Sequence, residues 1–205
     1  MPNRSGGAPA RCQLYLAAPA ILPADFAAPL TAALDTTSIA CLRLPAQAGL
    51  GALVDLAQSR GVAVVLEGEP ELARRLGADG VHLADGAGYA AARRTLGDQA
   101  IVGVHCGTSR HAAMEAGDAG ADYVAFDPDL ELVAWWAELM VVPLVAEIGD
   151  DLDRAAAFAA AGAEFICLGP AIWGDPLKML EAITRQLASS PSPSPSPPEG
   201  GRGLG

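Results

Sequence analysis

Long apolar runs are absent from this chain. No stretch reaches the roughly 20 residues needed to cross a bilayer, so no membrane span is expected. The opening MPNRSGGAPARC lacks the apolar segment of a secretion signal. A basic surface is absent too. Lys and Arg number 13 against 24 Asp and Glu, giving a formal charge of -11 spread along the chain. That disfavours a general binder of nucleic acid or of anionic membranes and leaves room for one local site for a phosphorylated small molecule. Cysteine is scarce: Cys12, Cys41, Cys106 and Cys167 stand far apart and form no CxxC pair. A disulfide framework is therefore disfavoured, and a reducing cytoplasm is the expected compartment. Aromatics make up only 5% of residues, which points to a core of small aliphatic layers.

Hydrophobic residues are plentiful, at 51% of 205, enough for one domain of moderate size. Short apolar runs without polar alternation recur, the pattern of strands buried on both faces. They lie at 12–17 (CQLYLA), 38–44 (SIACLRL), 62–66 (VAVVL), 80–83 (GVHL), 100–104, 122–126, 141–146 (VVPLVA) and 165–168. Helical stretches alternate with them, at 24–34, 46–60, 69–76, 89–96, 109–119, 130–139, from a cap at Asp150 or Asp151 to 161, and 176–187. Pro143 is an awkward strand member because it has no N–H for a ladder. Eight strand–helix alternations with right-handed connections close into a single compact (β/α)8 TIM barrel. An open doubly wound sheet with fewer strands is the other arrangement considered. Residues 1–10 are expected to be flexible, 11–188 to form the barrel, and 189–205 (a Pro/Ser then Gly tail) to be disordered.

Gly-Ala-Asp or Gly-Ala-Glu recurs before strands four, six and eight, at 77–79, 120–122 and 162–164, marking a repeated helix-to-strand joint. Reactive residues stand at strand exits: Arg43, Glu67, His82, Asp85, His105, Cys106, Asp127 and Glu147. In α/β folds that rim is where ligands bind. Arg43, a lone cation on an apolar strand, suits bidentate binding of phosphate or carboxylate; the structural alternative is a pairing with Glu67 or Asp85. His, Cys and carboxylates together on the rim would also suit a transition metal, although no tight ligand spacing is present. Gly149 and Gly169 are candidate rim glycines for a phosphate; the alternative is an ordinary turn. Of Trp135 and Trp136, one is expected in the core. Cys12 and Cys167 are expected buried and inert.

The segments CLRLP at 41–45, VVLEGEPELARRLGADGVHL at 64–83, IVGVH at 101–105, GADYVAFDP at 120–128, VPLVAEIG at 142–149 and AGAEFICLGPAI at 161–172 resemble the thiamine-phosphate synthase and thiazole tautomerase family of small barrels. The resemblance implies thiamine biosynthesis. Its synthase is a transferase that couples a hydroxymethylpyrimidine pyrophosphate to a thiazole phosphate, with Mg²⁺ screening the leaving pyrophosphate. It implies catalytic roles for Arg43, His82 and His105 and phosphate contacts for Arg43, Gly149 and Gly169; Glu67 and Asp85 stand beside the family's metal positions and would have to take over Mg²⁺ there.

The family pattern is heavily substituted here. Cys41 and Pro45 flank Arg43 where the family has Gln and Lys, and Glu67-Gly68 replaces Asn-Asp. Ala87 stands at the second metal Asp. His105 replaces a Ser, no Lys follows Asp127-Pro128, and Gly169-Pro170 replaces a phosphate-cradling Val-Ser. The tautomerase branch has its catalytic His where Pro128 stands. The alternative reading is an inactive or repurposed barrel that binds a small, possibly phosphorylated ligand or a metal.

Overall fold

The computed structural model describes residues 12–189; the expectations for 1–10 and for 190–205 lie outside the described residues. Eight strands run in chain order around a closed parallel barrel: β1 (Gln13–Ala17), β2 (Ile39–Leu44), β3 (Ala63–Glu67), β4 (Gly80–Leu83), β5 (Ile101–His105), β6 (Tyr123–Phe126), β7 (Leu144–Gly149) and β8 (Phe165–Leu168). β8 returns to pair with β1, so no edge strand is left. Eight helices alternate with them: α1 (Ala27–Thr36), α2 (Gly51–Gln58), α3 (Pro70–Leu76), α4 (Tyr89–Leu96), α5 (Arg110–Ala119), α6 (Leu130–Leu139), α7 (Ala155–Ala160) and α8 (Pro176–Ser189). Among the described residues, no helix is long and apolar enough to cross a membrane.

Alternation on each strand divides the core in two. Outward residues such as Leu16, Leu42, Leu66, Val102, Phe126, Leu144 and Ile166 pack beneath the helices. Inward residues fill the barrel: Tyr15, Ala17, Cys41, Val65, Tyr123, Ala125, Val145 and Cys167. Small residues make room for large ones here. Gly103 has no side chain because the Tyr123 ring occupies that space.

The recurrent Gly-Ala-acid joints have one job. In each, the carboxylate accepts the N–H near the start of the preceding strand: Val64 N to Asp79 Oδ2 (2.7 Å), Val102 N to Asp122 Oδ2 (2.8 Å) and Leu144 N to Glu164 Oε2 (3.0 Å). These amides would otherwise be left without a ladder partner at the barrel floor. The Gly77 and Gly120 members take left-handed conformations (φ 68° and 94°) that end α3 and α5, as glycine does after a helix.

Several boundaries differ from the sequence expectation. Strand β7 begins at Leu144, so Pro143 lies before the ladder and its missing N–H costs nothing. Helix α2 starts at Gly51, because Gly49 turns the chain through positive φ (81°). Helix α1 starts at Ala27, after a turn closed by the Phe26 N–H on the Pro23 carbonyl. Neither Asp150 nor Asp151 caps α7: a 3-10 turn (Leu152–Arg154) intervenes, and Asp151 makes no side-chain capping bond. Ser109 caps α5, its hydroxyl accepting the Ala112 N–H (3.1 Å). Trp136 is the core tryptophan, donating to the Val142 carbonyl (2.8 Å), while Trp135 is half-buried under Arg110. Cys167 is buried in β8, but Cys12 precedes β1 and is only partly buried.

Candidate active site at the C-terminal mouth

Arg43 is the only Lys or Arg on any of the eight strands. It projects inward near the end of β2, and its side chain is 12% exposed. An isolated guanidinium could not remain there. Its Nη1 donates to Glu147 Oε1 of β7 (2.7 Å) and to His82 Nε2 of β4 (2.9 Å), while Nη2 reaches Glu147 Oε2 at 3.4 Å. Nε lies 3.3 Å from Glu67 Oε1 without hydrogen-bonding geometry. Of the two partners expected for Arg43, Glu67 is present and Asp85 is not. The Asp85 carboxylate instead accepts the Ala87 N–H of its own turn (2.9 Å).

His82 is 6% exposed, and its tautomer follows from its neighbours. Arginine can only donate, so Nε2 must be the acceptor and the ring proton sits on Nδ1. That proton is donated to Tyr123 Oη (2.9 Å), which in turn hydrogen-bonds Tyr15 Oη (3.0 Å). Burial, and then the Arg43 charge, hold His82 down to about 3, so the ring is neutral. Burial likewise lifts both tyrosines well above their ordinary range. Burial also opposes ionisation of Glu147, but His105, Arg43 and His82 outweigh it and hold the carboxyl down to about 2.

His105 ends β5 nearer solvent, with its side chain 28% exposed. Its Nδ1 lies 3.7 Å from Glu147 Oε1 and its Nε2 lies 3.6 Å from Asp127 Oδ1. Glu147 is the main cause of a raised pKa, which favours the imidazolium. Arg43, His82 and His105 are thus one cluster, joined through Glu147. Beside it, an open cleft of about 560 Å³ lies over the exit of β6, between Thr108, Asp127, Asp129, Glu131 and Arg154.

The candidate phosphate positions are engaged internally. Gly169 N donates to the Gly149 carbonyl (2.8 Å), and the Asp150 carboxylate accepts the Ala171 N–H (3.1 Å) at the turn after β8. A side chain on Gly169 would meet that carboxylate, with the β-carbon only 2.7 Å from Asp150 Oδ1.

Glu67 and Asp85 do not fit Mg²⁺. The one is drawn to Arg43 and the other to its own turn, and neither joins a three-ligand group among the described residues. The group that does exist there, His82, His105 and Glu147, offers two nitrogens to an ion that prefers six oxygens.

Sequence reasoning missed Tyr15, Tyr123 and the Arg43–Glu147 pairing. The available signal was two tyrosines at inward positions of otherwise aliphatic strands, since a buried Tyr hydroxyl needs a partner.

The comparisons with known proteins agree with this architecture. A thiamine phosphate pyrophosphorylase from Pyrococcus furiosus superposes with a TM-score of 0.76 at 20% identity, covering 87% of this chain and 96% of that one. An orotidine 5'-phosphate decarboxylase from Pyrococcus horikoshii gives 0.65 at 17% identity, covering 86% and 99%. These likenesses show the fold alone. Sequence goes further. A thiamine-phosphate synthase of Rhodospirillum centenum is 43% identical, covering 80% of this chain and 91% of the relative. Another, from Erythrobacter litoralis, is 41% identical over 63% of this chain and 68% of its own length. The family model described as thiamine monophosphate synthase matches residues 46–172, which hold every strand exit named above except that of β2. On that match and on the identity to the Rhodospirillum protein, the chain belongs to the thiamine monophosphate synthase family.

Proposed function

We propose that the protein couples a hydroxymethylpyrimidine pyrophosphate to a thiazole phosphate at the C-terminal mouth of the barrel, a step of thiamine biosynthesis. The observation that carries this reading is the 43% identity to the Rhodospirillum thiamine-phosphate synthase along 91% of its length. In that reaction the bond from the pyrimidine methylene to the pyrophosphate oxygen breaks, and the electron pair leaves with the pyrophosphate. The thiazole nitrogen then gives its lone pair to the methylene carbon.

The mouth suits the cationic half of such a step. Glu147 stays ionised and Glu67 faces the other side of Arg43, 3.3 Å from its Nε, so positive charge developing on the methylene would meet carboxylates at the rim. For the departing anion this chain offers Arg43, whose Nη2 is loosely held at 3.4 Å, and His105, whose raised pKa favours the charged ring. No step is assigned to Mg²⁺, because Glu67 and Asp85 do not fit it. The cytoplasm, where four unpaired thiols persist, and small molecules rather than nucleic acid as partners belong to the same reading.

One observation favours a second acceptor. Asp150 already occupies the Ala171 N–H that a phosphate would seek, and it adds a negative charge there. The unphosphorylated thiazole alcohol would avoid that repulsion and yield thiamine itself.

Incubating the purified chain with pyrimidine pyrophosphate, Mg²⁺ and either thiazole, followed by mass spectrometry, tests both. Turnover of about 1 s⁻¹ or more with the phosphorylated acceptor is the expected outcome. Product from the alcohol alone supports the second reading. A folded protein that makes neither product would sink the coupling function.

A further inference from the structure

Arg43 Nη1 fills the space between Glu147 Oε1 and His82 Nε2. Those two atoms are 3.6 Å apart, and His105 Nδ1 lies 3.7 Å from the same Glu147 oxygen. One ligand atom from each of the three residues falls within 4.8 Å of the others. Nitrogen and oxygen ligands bound tetrahedrally at about 2.0–2.2 Å would stand roughly 3.4 Å apart, so two of the three spacings need to close by only a few tenths of an ångström. Each imidazole also has its other nitrogen oriented: His82 Nδ1–H donates to Tyr123 Oη, and His105 Nε2 faces Asp127. Metal-bound histidines are held in this way by a second partner. His105 and Glu147 are partly exposed at the mouth, which leaves a side open for a fourth ligand.

We propose that His82, His105 and Glu147 form a site for Zn²⁺ or a similar transition metal, in which the Arg43 guanidinium holds the cation's place and is displaced when the metal binds. A receiving partner stands ready for it. Glu67 Oε1 is 3.3 Å from Arg43 Nε, and its side chain is 47% exposed, so the guanidinium turns onto Glu67 without losing a carboxylate. The donor set of two nitrogens and one oxygen selects Zn²⁺ or Co²⁺ over Mg²⁺. The site shares Arg43, His105 and Glu147 with the mouth proposed for coupling, but metal uptake is read without any substrate and does not depend on that reaction.

The test uses the full chain, stripped with a chelator and titrated with Zn²⁺ by calorimetry and with Co²⁺ by visible absorption. One equivalent is expected to bind, with the Co²⁺ spectrum of a site of low coordination number. His105→Ala should weaken binding by about tenfold or more; it also separates this site from the exposed His111–Glu115 pair on α5. Arg43→Met should tighten binding by about tenfold, a gain that misfolding cannot produce, and circular dichroism confirms the fold of each variant. The inference is overturned if the parent chain takes up no more metal than His105→Ala, or if Arg43→Met binds no more tightly than the parent.

Discussion

Tyr123 lies across the face of Gly103, so close that a β-carbon built on the glycine would sit 1.9 Å from Tyr123 Cζ. The ring is also fixed at its tip by Tyr15 and His82. Gly103→Ala therefore cannot be absorbed locally. It must push Tyr123 off its two hydrogen bonds or part β5 from β6. Overpacking and lost buried bonds together should cost about 2–4 kcal/mol. Urea denaturation measures this, and a midpoint matching the parent would mean that the interior is looser than described.

His82 and Glu147 set the acid limb of stability. His82 falls from its ordinary 6.5 to about 3 on folding, so between those values the unfolded chain holds a proton that the folded one lacks. Stability must then fall as pH drops below 6.5, at up to about 1.4 kcal/mol per pH unit. Glu147 falls from 4.5 to about 2 and adds a second loss below 4.5. His105 has the opposite sign: its raised pKa contributes stability below 6.5 that is lost as pH rises through the folded value. Denaturation midpoints from pH 6 to 5, below the range in which His105 opposes the effect, should slope downward in the parent and flatten in His82→Gln. An equal slope in that variant would contradict a neutral buried His82.

Thiol reagents should find no ready target. Burial, with a smaller push from Glu164, lifts Cys12 to about 12. Burial lifts Cys41 to about 12 and Cys106 to about 11, and it raises Cys167 as well. The thiolate is the nucleophile, so iodoacetamide at pH 7.5 should leave the native protein unlabelled within an hour and label four sites once it is unfolded. Rapid native labelling of Cys12, the partly buried member, would show that its end of the barrel opens.

Asp79→Ala should destabilise chiefly by leaving one buried amide unpaired, the exposed-edge bond from Gln58 Nε2 (3.0 Å) being lost with it. Val64 is fully buried, and its N–H has the Asp79 carboxylate as its acceptor, at 2.7 Å. Leaving that donor unpaired should cost about 1–3 kcal/mol. Asp79→Asn, which keeps an oxygen at that position, should recover most of it. If alanine and asparagine behave alike by chemical denaturation, the clamp contributes nothing.

The barrel was legible in the sequence because its rule is local. Eight apolar runs alternate with helical stretches, and eight right-handed strand–helix units are the number that closes into a barrel. The strand exits also mark Arg43, His82 and His105 from sequence alone. What was not legible was partnership. Glu147 lies 104 positions from Arg43 along the chain, and no periodicity links them. Asp85 looked as suitable as Glu67 for pairing with Arg43, yet its own turn supplies an amide two residues on, and that short-range bond wins. Helix starts shifted where a glycine or a one-turn 3-10 segment intervened, since either can precede a helix without changing its apolar pattern.

The three carboxylate clamps at the floor tie the strands two by two: β3 with β4, β5 with β6, and β7 with β8. Before β2 the chain reads Thr36-Thr37-Ser38, with no acid in the matching place. Seen this way, the cylinder is three fastened quarters and one unfastened quarter, β1 with β2. Arg43, the cation on which the whole mouth depends, rides on that unfastened quarter. Partial opening should begin there, so amide exchange would report β1 and β2 first. Such an opening would withdraw the guanidinium from the rim, making the site the earliest casualty of stress.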